Sequence, residues 1–546
     1  MTDRALSRIR YQGQELELVA GRTIFDYADE LEVRVPTSCG RSGECHECVV
    51  EIRQGTESLS PPTEAERFLG GNYRLACQAK VTNSNSDIEF ALLRREPQIL
   101  CHSLNRPVKV DPLVTRRNDS VYLGDTRIDR YRGHLYGLAV DLGTTTVVFN
   151  LLDLENGEVL FTGSFENPQR FGGSDIMHRI SYDGGPFHGE LRKVITAALN
   201  FEIQDMCKKT RISRRQIYEV VVVGNSTMRD IFFGLDVQPI GEKPYKSITE
   251  HDLLTGKRET TALNLPAGDL GLRVFPDANL YGGPLIASHV GADVAADLLA
   301  IGMDEEDAAV MLIDVGTNTE VVVGSRDRMM ASSCPAGPAF EGGEITYGMP
   351  GYEGAVESVK LRDGKVKLRT IGDAPALGIC GSGLIDLLAE LRRTGRMTEL
   401  GVLTGDRQEF EFVPGKGMSL SRADISALAQ AKAANFCGQQ IVLRRFGLPA
   451  QDIQRVYLAG GFANYIDVQS ARAIGFIPDV PAEKIVKVGN AALSGATIML
   501  LSQDLRQWIE NSARQIEHIE LETSEDFFEI FVEGCMFRPT TESEIN

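Results

Sequence analysis

The chain lacks any run of about 18 apolar residues, the length a membrane-crossing helix needs, so no transmembrane segment is expected. Its opening stretch, MTDRALSRIRYQGQE, lacks the apolar core of a secretory signal, and a cytoplasmic location is expected. Basic charge is in deficit: 57 Lys and Arg face 76 Asp and Glu, a formal charge of −19. Such a surface repels phosphate backbones, which excludes a non-specific nucleic-acid binder. No GxxxxGK(S/T) phosphate loop is present, which excludes a P-loop protein. Close cysteine pairs are missing beyond residue 80. In a reducing compartment the ten cysteines read as metal ligands or buried thiols rather than disulfides. What remains is ordinary globular composition, 42% hydrophobic and 24% charged over 546 residues. That excludes wholesale disorder and leaves room for about three to five folding units.

The cysteines that do cluster are Cys39, Cys45, Cys48 and Cys77, spaced C-x5-C-x2-C-x28-C. A structural zinc site favours two CxxC-like pairs or a Cys/His set, and here there is one CxxC. The asymmetry suits a [2Fe–2S] cluster instead. A glycine-rich loop, Ser38–Cys48, wraps three thiolates, with Gly40 and Gly43 letting its amides turn toward the sulfurs. Cys77 supplies the fourth thiolate from a separate element. Zinc remains the competing reading, and His46, inside the loop, is expected to be a solvated side chain. Around the loop, Ser7–Val19 alternates about Gln12-Gly13 like a hairpin, Thr23–Glu30 reads as a short helix, and Val49–Arg53 and Asp87–Leu92 read as strands. This segment, residues 1–95, resembles the α+β β-grasp of plant-type ferredoxins. Its first cysteine gap is five residues rather than four, as in the adrenodoxin-like branch.

Residues 96–136 read as a linker, with Pro97, Pro107 and Pro112 and little periodicity. They carry seven basic against five acidic residues. A basic strap of this kind either docks on an acidic body or stays solvated. Short strands are expected at Val121-Tyr122 and Arg127-Ile128.

Residues 137–546 alternate apolar strands and amphipathic helices, an α/β pattern. Leu138–Phe149 reads strand, D-x-G-T turn, strand; Met311–Val323 repeats it, with Asp141 and Asp314 lying 173 positions apart. That is the signature of a duplicated domain. A later strand runs into Gly460-Gly461. In each turn a glycine (Gly143, Gly316) lets backbone amides approach a phosphate, and Thr144, Thr145, Thr146, Thr317 and Asn318 add donors. A carboxylate does not face a phosphate bare, so Asp141 and Asp314 would act through Mg²⁺ or water. Gly460-Gly461 would lie flat against an adenosine. Glu341, the one carboxylate of Ser333–Gly343, is a candidate for ordering water or metal, or for capping local amides. Val488–Ala492 opens a helix whose N-terminus suits nucleotide contact. Cys380, in Gly378–Gly383, reads as a small buried filler.

These motifs resemble the superfamily of acetate and sugar kinases, heat-shock chaperones and actin, whose members bind ATP between two duplicated lobes. A [2Fe–2S] module ahead of such an ATPase resembles the reductive activators of corrinoid proteins, across essentially the whole chain. The resemblance implies ATP-dependent, one-electron reduction of a corrinoid protein from Co(II) to Co(I), fed by an external electron donor. It implies the cluster on Cys39, Cys45, Cys48 and Cys77, and Asp141, Asp314 and Glu341 as catalytic groups. Some members carry a small domain after the linker, for which 41 residues leave little room. Plant-type clusters sit near about −400 mV, and the acceptor is harder to reduce. A nucleotide-state preference of about 5.5 kcal/mol is worth roughly 0.2 V for one electron at about 59 mV per tenfold. The rivals are a dehydratase-type activating ATPase and a non-catalytic redox sensor with a vestigial ATP site. Oligomeric state stays open, a homodimer included.

Overall fold

The computed structural model describes residues 7–93 and 106–540, apart from 288, 317, 363 and 462. The N-terminal unit is a five-stranded sheet of β1 (Arg8–Tyr11), β2 (Gln14–Glu17), β3 (Val49–Gln54), β4 (Tyr73–Leu75) and β5 (Ile88–Leu92), in the order β2-β1-β5-β3-β4. The β1–β2 hairpin turns at Gln12-Gly13, both at positive φ. The helix Ile24–Glu30 starts at a reciprocal cap: Thr23 Oγ1 accepts from the Asp26 amide, and Asp26 accepts from the Thr23 amide. It buries Ile24, Phe25, Tyr27 and Ala28. This is the expected β-grasp, with β4 as an additional strand that delivers Cys77.

The stretch expected as a linker is structured over its second half. β6 (Val114–Arg117), β7 (Ser120–Leu123) and β8 (Thr126–Arg130) form a three-stranded antiparallel sheet. Val114 and Val121 are fully buried in the apolar core of the neighbouring lobe. Two short apolar positions were enough for this because the sheet borrows a core rather than building one. The strap also docks: Arg106 pairs with both Asp304 oxygens at 2.6 and 2.8 Å and with Glu305 at 2.7 Å. Pro97 lies outside the described residues.

The duplication is visible in the sheets. In the first lobe, β9 (Tyr136–Leu142), β10 (Thr146–Asp153) and β11 (Val159–Glu166) make an antiparallel meander. β12 (Ile217–Val223) and then β14 (Asn279–Gly282) add in parallel, with β13 (Leu263–Pro266) at the edge. In the second lobe, β15 (Val310–Val315), β16 (Thr319–Ser325) and β17 (Arg328–Cys334) repeat the meander. Two more parallel strands, Val456–Ala459 and Ile485–Gly489, extend it. β9, β12 and β15 are buried on both faces and read as continuous apolar runs for that reason.

The lobes are joined where the helix Ala292–Ala300 crosses the helix Ala491–Leu501. A Cβ at Gly495 would fall 1.9 Å from the Ala296 carbonyl oxygen, so glycine alone permits this approach. We expect Gly495→Ala to lower stability by about 2 kcal/mol, because overpacking of about 3 kcal/mol exceeds the helix-propensity gain of about 1 kcal/mol. Thermal denaturation checks this, and an unchanged or raised midpoint would show that the helices have room to part.

Candidate functional sites and family

The cysteine loop leaves the helix Ile24–Glu30 and turns on left-handed residues: Gly40 (φ 64°), Arg41 (φ 73°), Gly43 (φ 90°) and His46 (φ 57°). Successive turns of this kind aim amides inward. Gly43 suits its position because φ is 90°, a conformation that side chains rarely adopt, and a Cβ there would also press on the Gln78 amide at 3.0 Å. Gln78 in turn donates to Cys77 Sγ at 3.4 Å. Cys48 and Cys77 are buried with their sulfurs 3.4 Å apart, while Cys39 and Cys45 are partly exposed. Burial opposes ionisation of Cys39, yet donors from Ser42, Cys45 and Gly43 bring its thiol down to about 5. The hydrogen bond from Cys48 lowers Cys77 to about 7 and raises Cys48 itself. Two thiol pairs, Cys39 with Cys45 and Cys48 with Cys77, are the kind of donor set that a thiolate-held cluster would use.

His46 corrects its expectation. It stacks on Phe68 with centroids 4.1 Å apart, and its Nδ1 lies 2.6 Å from Glu190 and 3.2 Å from Lys193 Nζ. Glu190 and Lys193 belong to the helix Glu190–Thr210 of the first lobe. The loop is therefore clamped onto the lobe rather than solvated. Lys193 also donates to the Glu44 carbonyl at 3.2 Å, Tyr182 donates to the Phe68 carbonyl at 2.6 Å, and Arg170 pairs with Glu51 at 3.0 Å.

Between the lobes lies a cavity of about 800 Å³. It is lined by Asp141, Gly143, Thr144, Thr145 and Thr146 from the first D-x-G-T turn, by Asp314, Gly316 and Asn318 from the second, and by Gly460, Gly461 and Glu341. Thr317 lies outside the described residues. Both turns thus face one space, as do Cys380 and the helix start at Asn490–Ala492. Asn490 Nδ2 donates to Asp141 at 2.7 Å, while its Oδ1 caps the helix by accepting from the Leu493 amide. Thr145 donates to Glu341 at 3.5 Å, bridging the lobes. Burial pushes the Asp141 carboxyl up to about 7, against the Asn490 hydrogen bond and aided by the Asp314 charge; burial likewise raises Asp314 to about 6.

Gly460 serves the protein and not only a ligand. With φ at 103°, its Cβ would fall 2.2 Å from the Val315 carbonyl oxygen, whereas Gly461 opens onto empty space. Sequence reasoning missed Asn225, Asp293, Asp297 and Glu320, all of which line the cavity. Asn225 donates to Thr144 Oγ1 at 3.0 Å. The spacing of Asp293 and Asp297, one helical turn apart just after Gly291, was the available signal.

Three family models match in sequence: a 2Fe-2S iron-sulfur cluster binding domain over residues 8–82, the RACo middle region over 136–306, and the C-terminal ASKHA domain of RACo over 308–546. A solved structure titled reductive activator for corrinoid, iron-sulfur protein superposes with a TM-score of 0.69 at 29% identity, covering 98% of this chain and 99% of its own. The chain belongs to the family of reductive activators of corrinoid proteins. Among this activator's relatives is the corrinoid activation enzyme RamQ of Eubacterium limosum, 29% identical and spanning 96% of this chain and 98% of its own. Another is the Co(II) methylated amine-specific corrinoid protein reductase of Methanosarcina barkeri, 24% identical over 72% of this chain and 75% of its own. The cluster domain of the activator is also 32% identical to the 2Fe-2S ferredoxin of Escherichia coli over 85 residues. A [2Fe–2S] cluster, ATP and Mg²⁺ are the cofactors of this architecture.

We expect Ser at position 39, 45, 48 or 77 to abolish the red-brown colour and the two irons per chain, while Cys207→Ser and Cys437→Ser keep both. Iron and sulfide analysis decides it; one zinc and no sulfide would remove the cluster from these residues.

Proposed function

We propose that the chain is an ATP-dependent reductive activator that passes one electron to the Co(II) state of a corrinoid protein and so regenerates Co(I) for methyl transfer. The observation that carries the coupling is a continuous set of contacts from the cysteine loop to the first D-x-G-T turn. His46 meets Glu190. The next residue, Leu191, accepts from Gln169 at 3.1 Å. Gln169 accepts from the buried Arg179 at 3.5 Å, and Arg179 donates to the Thr144 carbonyl at 2.8 Å. A second strand of contacts runs beside it. Arg170 reaches Glu51 of the cluster domain, and Asn167, three residues earlier, donates to the Gly143 carbonyl at 2.9 Å. A change in the turn when nucleotide arrives is thus transmitted to the residues beneath the cysteines.

Cys39, Cys45, Cys48 and Cys77 would hold the cluster, which supplies a one-electron carrier. Gly143–Thr146, Gly316–Asn318 and Gly460-Gly461 would receive the nucleotide. Asp141, oriented by Asn490, and Asp314 would hold its Mg²⁺ or an ordered water. Glu341, tied to Thr145, would align a water with the phosphate end. The half-exposed side of the loop, at Cys39 and Cys45, suits exchange with an external donor and with the corrinoid protein. We place the protein in the cytoplasm. Among the described residues no helix is long and apolar enough to cross a membrane.

The reduced protein with Mg·ATP should convert a Co(II) corrinoid protein to Co(I), or to methyl-Co(III) with a methyl donor present, as followed by visible spectra. Without ATP the rate should fall by at least tenfold, and Cys39→Ser should be inactive. Asp141→Asn and Asp314→Asn should impair ATP hydrolysis more than ATP binding. Equal rates with and without ATP across several corrinoid partners would favour a redox sensor with an idle nucleotide module.

A further inference from the structure

Among the described residues four arginines are buried: Arg74, Arg179, Arg229 and Arg506. Three of them meet a carboxylate: Arg74 pairs with Glu66 at 2.8 Å, Arg229 with Asp230 at 2.7 Å and Arg506 with Glu219 at 2.8 Å. Arg179, 1% exposed, has no ion pair among the described residues. Its contacts are all to neutral groups. Nε donates to the Gly173 carbonyl at 3.1 Å, Nη1 to Gln169 Oε1 at 3.5 Å and Met228 Sδ at 3.0 Å, and Nη2 to the Thr144 carbonyl at 2.8 Å. Burial brings the guanidinium down to about 9, with the Asp175 charge opposing, so it is still a cation at neutral pH. A buried cation without a counter-charge costs free energy, and a fold keeps one where a counter-charge arrives.

The shortest of these contacts falls on the first D-x-G-T turn. Three consecutive carbonyls of that turn are held from behind: Gly143 accepts from Asn167 Nδ2 at 2.9 Å, Thr144 from Arg179 at 2.8 Å, and Thr145 from the Asn167 amide at 2.7 Å. Gly143, Thr144 and Thr145 line the inter-lobe cavity, whereas Asn167 and Arg179 do not. In a trans peptide the N–H points opposite to the C=O. The amides of Thr144 and Thr145 are therefore turned to the cavity side, and neither donates to an acceptor among the described residues. Successive amides aimed in this way receive an anion. A cation on the Thr144 oxygen also polarises that peptide and strengthens the Thr145 N–H as a donor. A carboxylate beside Arg179 would cancel this field.

We propose that Arg179 is a positioning residue for the phosphate tail of the nucleotide: from behind the turn it orients the Thr144–Thr145 peptide and supplies a positive charge whose counter-charge is the phosphate itself. It acts through the backbone and does not touch the nucleotide. Asn167 shapes the same turn without charge, so the two residues divide geometry from electrostatics. Arg179 also donates to Gln169, whose own amide holds the Leu191 carbonyl beside Glu190. The group that feels the phosphate is thus the group that links the turn to the seam under the cysteine loop. The inference rests on the reading that Gly143–Thr146 receives phosphate and is independent of the corrinoid partner.

The test measures the affinities of the full-length protein for Mg·ATP and for adenosine, which has no phosphate, by calorimetry. Arg179→Gln keeps a donor for the turn and removes the charge. Met228→Glu keeps Arg179 and gives it the carboxylate that the other three buried arginines have, from a position outside the cavity lining. Each variant should bind Mg·ATP at least about tenfold more weakly, the worth of one charge-assisted hydrogen bond, and adenosine less than about threefold more weakly. Without nucleotide, Met228→Glu should unfold at or above the wild-type temperature, because it pairs a charge that was unpaired. An arginine with a structural role alone would instead lose ATP and adenosine in equal proportion on Arg179→Gln and would leave ATP binding unchanged on Met228→Glu; either result overturns the proposal. If the wild-type protein binds ATP no more tightly than adenosine, phosphate does not reach the turn, and the reading of the site fails together with the role of Arg179. If phosphate does tighten binding and both variants keep the wild-type ratio of the two affinities, the site reading stands and the role of Arg179 fails alone.

Discussion

Buried carboxylates without basic partners set the terms on which the two lobes meet. Asp141 and Asp314 approach from equivalent turns of duplicated sheets, each raised by burial, with Asn490 donating to Asp141. Placing like charges in a dry cleft costs free energy. The scaffold sustains it with a deep apolar foundation: β9, β12 and β15 are buried on both faces, and Gly495 lets two helices approach to backbone contact.

The cluster domain sits where it can feel a change in these turns. It shares one apolar core with the first lobe and the small β6–β8 sheet; one face of the second lobe's sheet, with Leu312, Val322 and Ala331, packs into that same core, and the other face builds a second core. Polar contacts at the seam, from His46, Glu51 and Phe68 to Glu190, Arg170 and Tyr182, run to the same turn that would hold phosphate. This arrangement makes the cluster's surroundings responsive to nucleotide without bringing the two cofactors together.

Local motifs were legible in the chain because their chemistry is local. C-x5-C-x2-C demands a tight loop, and the loop turns on Gly40 and Gly43 as read. The D-x-G-T pairs demand hairpins, and both face one cavity. Within the linker the short strands at Val121-Tyr122 and Arg127-Ile128 were legible, whereas β6 was not, because β6–β8 has too few apolar residues for a core of its own. His46 was misread because its partners, Glu190 and Lys193, lie more than 140 positions away. Gly460 was read as a ligand contact, whereas the Val315 backbone already requires it.

The sequence by itself determined the class of chemistry: thiolate number and spacing for an iron–sulfur loop, two carboxylate turns and a diglycine for a nucleotide cleft, and the order of the modules. Those follow from residue types within a few positions of one another, where backbone geometry leaves few choices. Only the tertiary structure decided which distant groups meet. It brought Asp293, Asp297 and Glu320 beside Asp314, joined Arg179 to Thr144, and pressed the cysteine loop onto the helix Glu190–Thr210. The reason is that charge repulsion, burial and hydrogen bonding across a cleft depend on packing between elements, which no local spacing records.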